Sequence, residues 1–547
     1  MLARLADPIA LLGIALLLAL ELNGVYSCSI TADETAEIGA GVNDVFHGEC
    51  TFFAGHPPLA GLMIGGTLTA LGVRPRSAEG LLEAAQGNFL LQMAYGERVV
   101  FDDNPDFRFP FARPGVDSVV TAARMPLLVF PVLLATFAYV WAKSRFGPGG
   151  GLLALGLVLT YPDLLGHGAL AMTDVPFSAL ALLAGYALDR AGEKRSRAFV
   201  VLLGVATGLA CGVKLWGLFL VPALAAVAGP KRWRELLAAG AVAALVLWAV
   251  YLGSNPFVRY VLGVVAVRDH HAEAHDAVLL GHATHAPWYL LVAGLLKLPL
   301  GTIALLGTAL VLARREWRSA FHLPAGVIFL ANSFLAEPYG TRYLLPVVSF
   351  LVVSAGRLVP WATTRPRQVF LALALATNAL AVVCVHPWYV SAVNPLAGTP
   401  WRALDNANTD LGQGLKALAD WQRAHGSPPL VVVPRGATPF VRPTGYADYA
   451  GVSYDPRMAA LEAYGVKGRV DPTELGEAVF HPKPGLVYAI SVHVLARAHI
   501  FETDEPLIWP SGVRGPAHMD LGVKTLPVAT VGGVFLIFDL RPQTLGH

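Results

Sequence analysis

Apolar runs long enough to cross a lipid bilayer recur through the first 390 residues, and no water-facing fold can bury all of them. Spans are predicted near residues 8–26, 125–142, 149–162, 175–189, 198–212, 215–229, 235–253, 298–313, 320–336, 343–356 and 368–386, about eleven in all. Composition agrees, with 55% of the 547 residues hydrophobic and 14% charged. A polytopic all-α membrane domain is therefore expected over residues 1–386. Lys and Arg are scattered between apolar runs and the formal net charge is +2, whereas nucleic-acid binders gather basic residues into one patch. Nucleic acid is not expected as a partner.

Alternate loops hold the basic residues that the cytosolic side of a membrane protein collects. They carry Lys143 and Arg145; Arg190, Lys194, Arg195 and Arg197; Lys231, Arg232 and Arg234; Arg314, Arg315 and Arg318; and Arg357, Arg365 and Arg367. Arg4 puts the N-terminus on that side, so an odd number of spans leaves 27–120, 254–297 and 387–547 outside the cytosol. The expected setting is a plasma membrane, with the chemistry on its outer face. Arg4 and the apolar run 9–20 also fit the start of a signal peptide. No small-x-small cleavage site follows, and Val25-Tyr26-Ser27-Cys28 is a poor lipoprotein box; the helix is expected to be retained.

The first external loop contains two stretches, Pro57–Leu71 and Glu79–Met93, that fit helices lying at the membrane surface. The tail has another texture: Pro, Gly and Asp punctuate short β-rich runs such as Leu430–Val433 and Val534–Phe538. A small extracytoplasmic α/β domain is expected over 387–547, with Trp401–Ala424 as a helical link to the membrane. Cys28 and Cys50 share the first external loop and are a candidate disulfide. The histidines at 270, 271, 275, 282 and 285 form a dense external group, which without a matching Cys or carboxylate pattern reads as loop histidines rather than a zinc site. No metal site is predicted, and any need for a divalent cation is left open.

Asp33 and Glu34 stand a few residues beyond the first span, where adjacent carboxylates are costly unless solvated, paired or functional. The alternative is a helix start, because Thr31 or Asp33 ahead of Glu37 also suits a capping arrangement. Asp174, at the external mouth of another span and followed by Pro176, carries the same ambiguity. Cations recur at that level: Arg124, Lys214, Lys297 and Arg342. Some of these could simply snorkel. Acids and cations together at one interface would serve a hydroxyl nucleophile and a phosphate leaving group.

Several landmarks run in order through the membrane region: Ala32-Asp33-Glu34, His56-Pro57-Pro58-Leu59, Ala123-Arg124-Met125-Pro126, Thr173-Asp174-Val175-Pro176, Pro287-Trp288-Tyr289 with Lys297-Leu298-Pro299, and Arg342-Tyr343-Leu344-Leu345-Pro346. In these the chain resembles the GT-C glycosyltransferases, especially bacterial relatives of the protein O-mannosyltransferases (glycosyltransferase family 39 type). Asn408–Lys416 resembles a segment that opens the external domain in many bacterial members, with Leu411 where a Trp is common. Gly55-His56 stands where the related aminoarabinose transferases carry Glu-Lys. The resemblance implies a GT-C membrane fold, Asp33 as general base, Arg124 on the lipid phosphate and Asp174 in the donor or acceptor site.

The expected function is transfer of a sugar, with inversion, from a polyprenyl-phosphate carrier to an acceptor hydroxyl outside the cytosol. Asp33, Glu34 and Asp174 are the candidate catalytic residues; Arg124, Lys214, Lys297, Arg342 and His56 are the candidate phosphate-binding residues. The acceptor is a glycan, a lipid or a protein, and membrane lipids surround the whole. A nucleotide sugar would need cytosolic access, and no Walker-type loop is present. The competing class is a transporter of a lipid or polar solute, since intramembrane charges also mark transport pathways. Against it stand the large first external loop, the lack of paired halves and the tail domain.

Overall fold

The structure is a computed structural model and describes residues 2–50, 56–76, 81, 89–271, 277–435, 456–471, 482–500 and 526–542. A helix falls on each of the predicted spans. Five helical stretches among the described residues have the length and apolarity to cross a membrane: Leu5–Ser27, Val116–Leu159, Pro230–Val250, Thr341–Trp361 and Arg365–Val385. The second and third predicted spans run on as Val129–Leu159, kinked at Gly147, whose φ of 81° no helix holds and which stands just before Pro148. The helix Asp174–Lys194 and the shorter apolar helices Arg197–Val213, Gly217–Ala228, Leu300–Leu312 and Leu323–Leu335 complete the bundle.

The two ends of the bundle differ in chemistry. One end carries the loops with the basic excess, tied by ion pairs such as Lys143–Asp7 and Arg145–Asp189 and by the Arg357–Glu316 pair at 3.0 Å. At the other end, about 30 Å away along the helix Asp174–Lys194, lie Asp33, Asp174, Lys214 and Arg342. The predicted separation of cytosolic cations from external acids thus corresponds to two ends of one body.

Three helices of the first loop cover that second end. Ala32–His47 crosses Leu59–Ala70 and Phe89–Phe101 through backbone contact, which only glycine permits. A Cβ at Gly41 would stand 2.0 Å from the Gly61 carbonyl oxygen, one at Gly65 1.9 Å from that of Gly41, and one at Gly96 1.9 Å from that of Thr35. Leu59–Ala70 falls within the expected surface helix 57–71, but it packs on its neighbour. Of the expected helix 79–93, residues 79–80 and 82–88 lie outside the described residues, and Phe89 opens a helix that runs on to Phe101.

The tail forms the expected small α/β unit. Strands β1 (Ala277–Leu279) and β2 (His282–Thr284) make a hairpin in the preceding external loop. Strands β3 (Leu430–Val433), β4 (Gly468–Val470), β5 (Val487–Ser491), β6 (Ala529–Val531) and β7 (Phe535–Asp539) form a sheet in the order β4-β3-β5-β7-β6. β3 runs parallel to β4 and β5, while β7 is antiparallel to β5 and to β6. Both faces are covered, so β3 reads as a continuous apolar run. Val431, Val433, Tyr488, Ile490, Leu536 and Phe538 pack against Trp401 on one face; Leu430, Val432, Ala489 and Ile537 join the main core on the other.

Two expectations fail. Trp401–Ala424 is not one helix: Pro400–Ala403 and Leu415–Ala424 flank an irregular segment that holds Gly412 at φ 98°. Its side chains compete with a helical backbone, as when Asp410 Oδ1 accepts from Gly412 N at 2.7 Å. Cys28 and Cys50 are free thiols. They sit in different apolar clusters, Cys28 with Leu170, Met172 and Leu411, and Cys50 with Tyr251 and Tyr260.

Candidate active site

Asp33 and Glu34 sit in the first turn of the helix Ala32–His47, where successive side chains project about 100° apart. Glu34 turns inward. Its Oε2 accepts from the Thr31 N–H at 2.9 Å and the Thr31 hydroxyl at 3.0 Å, so the capping partner of Thr31 is Glu34 rather than the expected Glu37. Its Oε1 accepts from Ala171 N at 2.8 Å. Both oxygens also receive Arg124, Nε at 2.7 Å and Nη2 at 2.7 Å, with both side chains 0% exposed.

Arg124 has no donor left. Nη1 donates to the carbonyls of Val25 (2.9 Å) and Cys28 (2.8 Å) and Nη2 to that of Ser29 (2.8 Å), which with Glu34 uses all five N–H groups. Lys297 is equally committed: its ammonium is 2.9 Å from Asp163 and 2.6 Å from each of the Val390 and Asn408 carbonyls, with Lys297 and Asp163 each 1% exposed. These two cations fasten the end of the first span and the linker to the C-terminal α/β unit.

Asp33 turns the other way and ion-pairs with Arg342, leaving 35% of its side chain exposed. Arg342 keeps a buried Nε with no hydrogen-bond partner among the described residues. Asp174 ion-pairs with Lys214. Tyr343 joins the two pairs, its ring centre 5.2 Å from Lys214 Nζ and 5.8 Å from the Arg342 guanidinium. Four of the expected residues, Asp33, Asp174, Lys214 and Arg342, therefore come together at one mouth. Burial alone would raise the Asp33 carboxyl, but Arg342 and Arg435 outweigh it and hold the group below the usual carboxylate range. It is ionised at neutral pH and open to a proton.

His56 is 2.5 Å from Glu37, one turn along from Asp33, and Glu37 lies within Coulombic reach of Lys214. It stands at the edge of the site. Asp163 and His167 on the helix Pro162–Gly168 were not anticipated, although Tyr161-Pro162-Asp163 places an acid at a span end just as Thr173-Asp174 does. Asp163 accepts from the Thr341 hydroxyl at 2.7 Å, next to Arg342.

Residues 405–413 connect the site to the C-terminal α/β unit. The Leu411 carbonyl accepts from Ala32 N at 3.0 Å and the Gln413 carbonyl from Ser29 N at 3.1 Å. Asn408 Oδ1 accepts from Thr341 N at 2.9 Å, and Asn408 Nδ2 donates to the Tyr289 hydroxyl at 2.7 Å. With Leu411 fully buried, the segment is a structural hub. Among the described residues no three His, Cys, Asp or Glu side chains converge on a point that could hold a metal. Asp33 and Asp174 each face a cation instead. Of the external histidines, the side chains of His270, His271 and His275 lie outside the described residues.

Residues 116–254, from the helix bearing Arg124 through the spans bearing Asp174 and Lys214, match the family of dolichyl-phosphate-mannose-protein mannosyltransferases. The match bears out, over that segment, the resemblance to GT-C glycosyltransferases carried by the motifs. No curated protein matches the chain. Among solved structures, ArnT from Cupriavidus metallidurans in the apo state is 15% identical over 97% of this chain and 98% of that one, with a TM-score of 0.44. The same protein bound to undecaprenyl phosphate is 14% identical over 98% and 99%, also at 0.44. The Archaeoglobus fulgidus oligosaccharyltransferase with zinc and sulfate is 12% identical over 93% and 73%, at 0.40.

Proposed function

We propose that this integral membrane protein is a glycosyltransferase that takes a sugar, a hexose or a close relative, from a polyprenyl-phosphate carrier and passes it to an acceptor hydroxyl. In this reading residues 1–386 are the catalytic membrane domain, residues 387–547 the external domain, and about eleven helices span a bacterial inner membrane. The mouth holding Asp33 faces away from the cytosol. The observation that carries the reading is the pairing of a partly exposed, ionised Asp33 with Arg342, beside the Asp174–Lys214 pair.

Asp33 takes the proton of the acceptor hydroxyl as its oxygen bonds to the anomeric carbon. The bond from that carbon to the phosphate oxygen breaks, and its electron pair leaves with the lipid phosphate. Arg342 turns from Asp33 toward that phosphate, using its free Nε, and Lys214 adds a second positive charge. One displacement inverts the anomeric centre. Asp174 orients Lys214 and the acceptor, and His56 with Glu37 borders the phosphate. Arg124, Glu34 and Lys297, whose hydrogen-bonding capacity is already taken up, hold the scaffold instead of touching phosphate or reacting atoms. The acceptor, whether glycan, lipid or protein, is fixed by surfaces outside this charge cluster.

Reconstituted protein supplied with polyprenyl-phosphate sugars and crude envelope acceptors should release polyprenyl phosphate together with a glycosylated product. Asp33→Asn should cut turnover by about 10²-fold or more while leaving donor binding in place. Full turnover by a well-folded Asp33→Asn variant would refute the assignment of the base. Solute movement across the vesicles with no release of lipid phosphate would give the transporter reading the lead.

A further inference from the structure

The membrane mouth is balanced as it stands: Asp33 and Asp174 face Arg342 and Lys214. The reaction proposed above upsets that balance. A sugar phosphodiester arrives with a single negative charge and leaves as a phosphate monoester, which carries about −1.5 to −2 at pH 7. A further cation at the leaving oxygen would be used more in the transition state and product than in the bound donor, which is the condition for accelerating the chemistry.

The external domain supplies a candidate that the motifs did not reveal. Arg435 follows β3 directly, at the carboxyl end of the parallel strands, where open α/β sheets place their ligands. Its Nη1 donates to the Asp410 carbonyl and its Nη2 to Asn406 Oδ1 at 2.5 Å, while its buried Nε has no hydrogen-bond partner among the described residues. The groups around it are Asp410, whose carboxylate takes the Ser491 hydroxyl and Gly412 N; Asn406, whose N–H donates to His493 Nδ1; and Asp405, which pairs with Arg497 at 2.9 Å. Asp410 precedes Leu411, whose carbonyl receives Ala32 N beside Asp33. Arg435 is within Coulombic reach of both Asp33 and Arg342.

We propose that Arg435 is a third cation of the phosphate site, so that docking of the external domain completes the active site and favours the departing lipid monophosphate. The inference rests on the glycosyltransferase reading. Two residues therefore offer unpartnered Nε groups to one phosphate, Arg342 from the membrane domain and Arg435 from the tail.

The test uses the full-length protein in detergent or nanodiscs, with undecaprenyl phosphate and the uncharged undecaprenol as probes. Wild type should prefer the phosphate. Arg435→Gln keeps an amide to bond the Asp410 carbonyl but removes the charge, and should lose about tenfold or more of that preference, the scale of one charge-assisted hydrogen bond. Arg435→Lys should recover part of the loss. Ser491→Ala, which loosens the same docking contact without changing charge, should keep the preference and lower the melting temperature instead. A wild type that binds both lipids alike would sink the glycosyltransferase reading itself. A wild type that discriminates, with Arg435→Gln discriminating equally well, would overturn the role of Arg435 alone. Should Arg435→Gln not fold, Arg435→Lys decides: unchanged preference and unchanged turnover with a compact ammonium that lacks the planar fork of the guanidinium would contradict a phosphate contact.

Discussion

Glu34 and Asp33 are neighbours in one helical turn, each faced by an arginine, yet the two pairs have opposite properties. Glu34–Arg124 is sealed from solvent and every donor and acceptor in it is used. Asp33–Arg342 is partly exposed and retains a free Nε. The first pair resembles a rivet between the end of the first span, the start of the first-loop helix and the 116–124 helix. In the proposed reaction the second pair opens and Arg342 re-forms its contact on the lipid phosphate. A buried pair with complete hydrogen bonding leaves no capacity for chemistry, so polar saturation, more than charge, separates scaffold from site.

The largest effect should come from breaking the sealed pair. Arg124→Ala leaves an ionised Glu34 buried without its partner and should cost about 3–5 kcal/mol of stability. Thermal melts and expression in membranes would show it, and Arg124→Lys should rescue only in part, since an ammonium cannot bond both Glu34 oxygens and three carbonyls. Normal stability of Arg124→Ala with selective loss of polyprenyl-phosphate binding would restore Arg124 to the phosphate site. Next comes the crossing that carries both acids. Gly41→Ala would press a methyl group into the Gly61 carbonyl and should cost about 1–3 kcal/mol, reducing turnover in proportion to misplacement of Asp33; Gly66→Ala, in the helix Leu59–Ala70 with nothing within 4 Å, should be far milder.

The smallest effect is a shift in pH dependence. Burial raises the Asp33 carboxyl and the arginines more than offset it, so with Asp33 in the proposed role base activity should be present above a depressed pKa and lost as pH falls through it. Removing Arg342 by Arg342→Gln leaves burial opposed by less charge. The pKa should rise, and the acidic limb of the turnover profile should move to higher pH. A limb that stays in place, measured where the protein remains folded, would mean that another group is the base.

The comparison also explains what could be foreseen. Apolar periodicity and the distribution of Lys and Arg reveal the helices and the two ends, because the bilayer imposes both on local sequence. The same rules put Asp33, Asp174, Lys214 and Arg342 at one mouth. They could not separate Arg342 from Arg124 or Lys297, since the partners that saturate the latter two are mostly backbone carbonyls, at Val25, Cys28, Ser29, Val390 and Asn408, which no side-chain pattern encodes. The helical spacing of Trp401–Ala424 was misleading for a related reason: its Asp and Asn side chains bind neighbouring backbone and distant elements. Arg435 is more than 400 residues from Asp33 in the chain, and only the fold of the tail brings it near.

The contrast between the pairs is tested most directly by substituting each acid with its amide in the same preparation and measuring sugar transfer and thermal stability together. Asp33→Asn should melt close to wild type, bind polyprenyl phosphate, and turn over about 10²-fold more slowly or worse. Glu34→Gln should be strongly destabilised, and whatever fraction stays folded should retain most of its activity. The reverse outcome, a stable and inactive Glu34→Gln beside an active Asp33→Asn, would contradict the division between rivet and site and move the base to the buried acid.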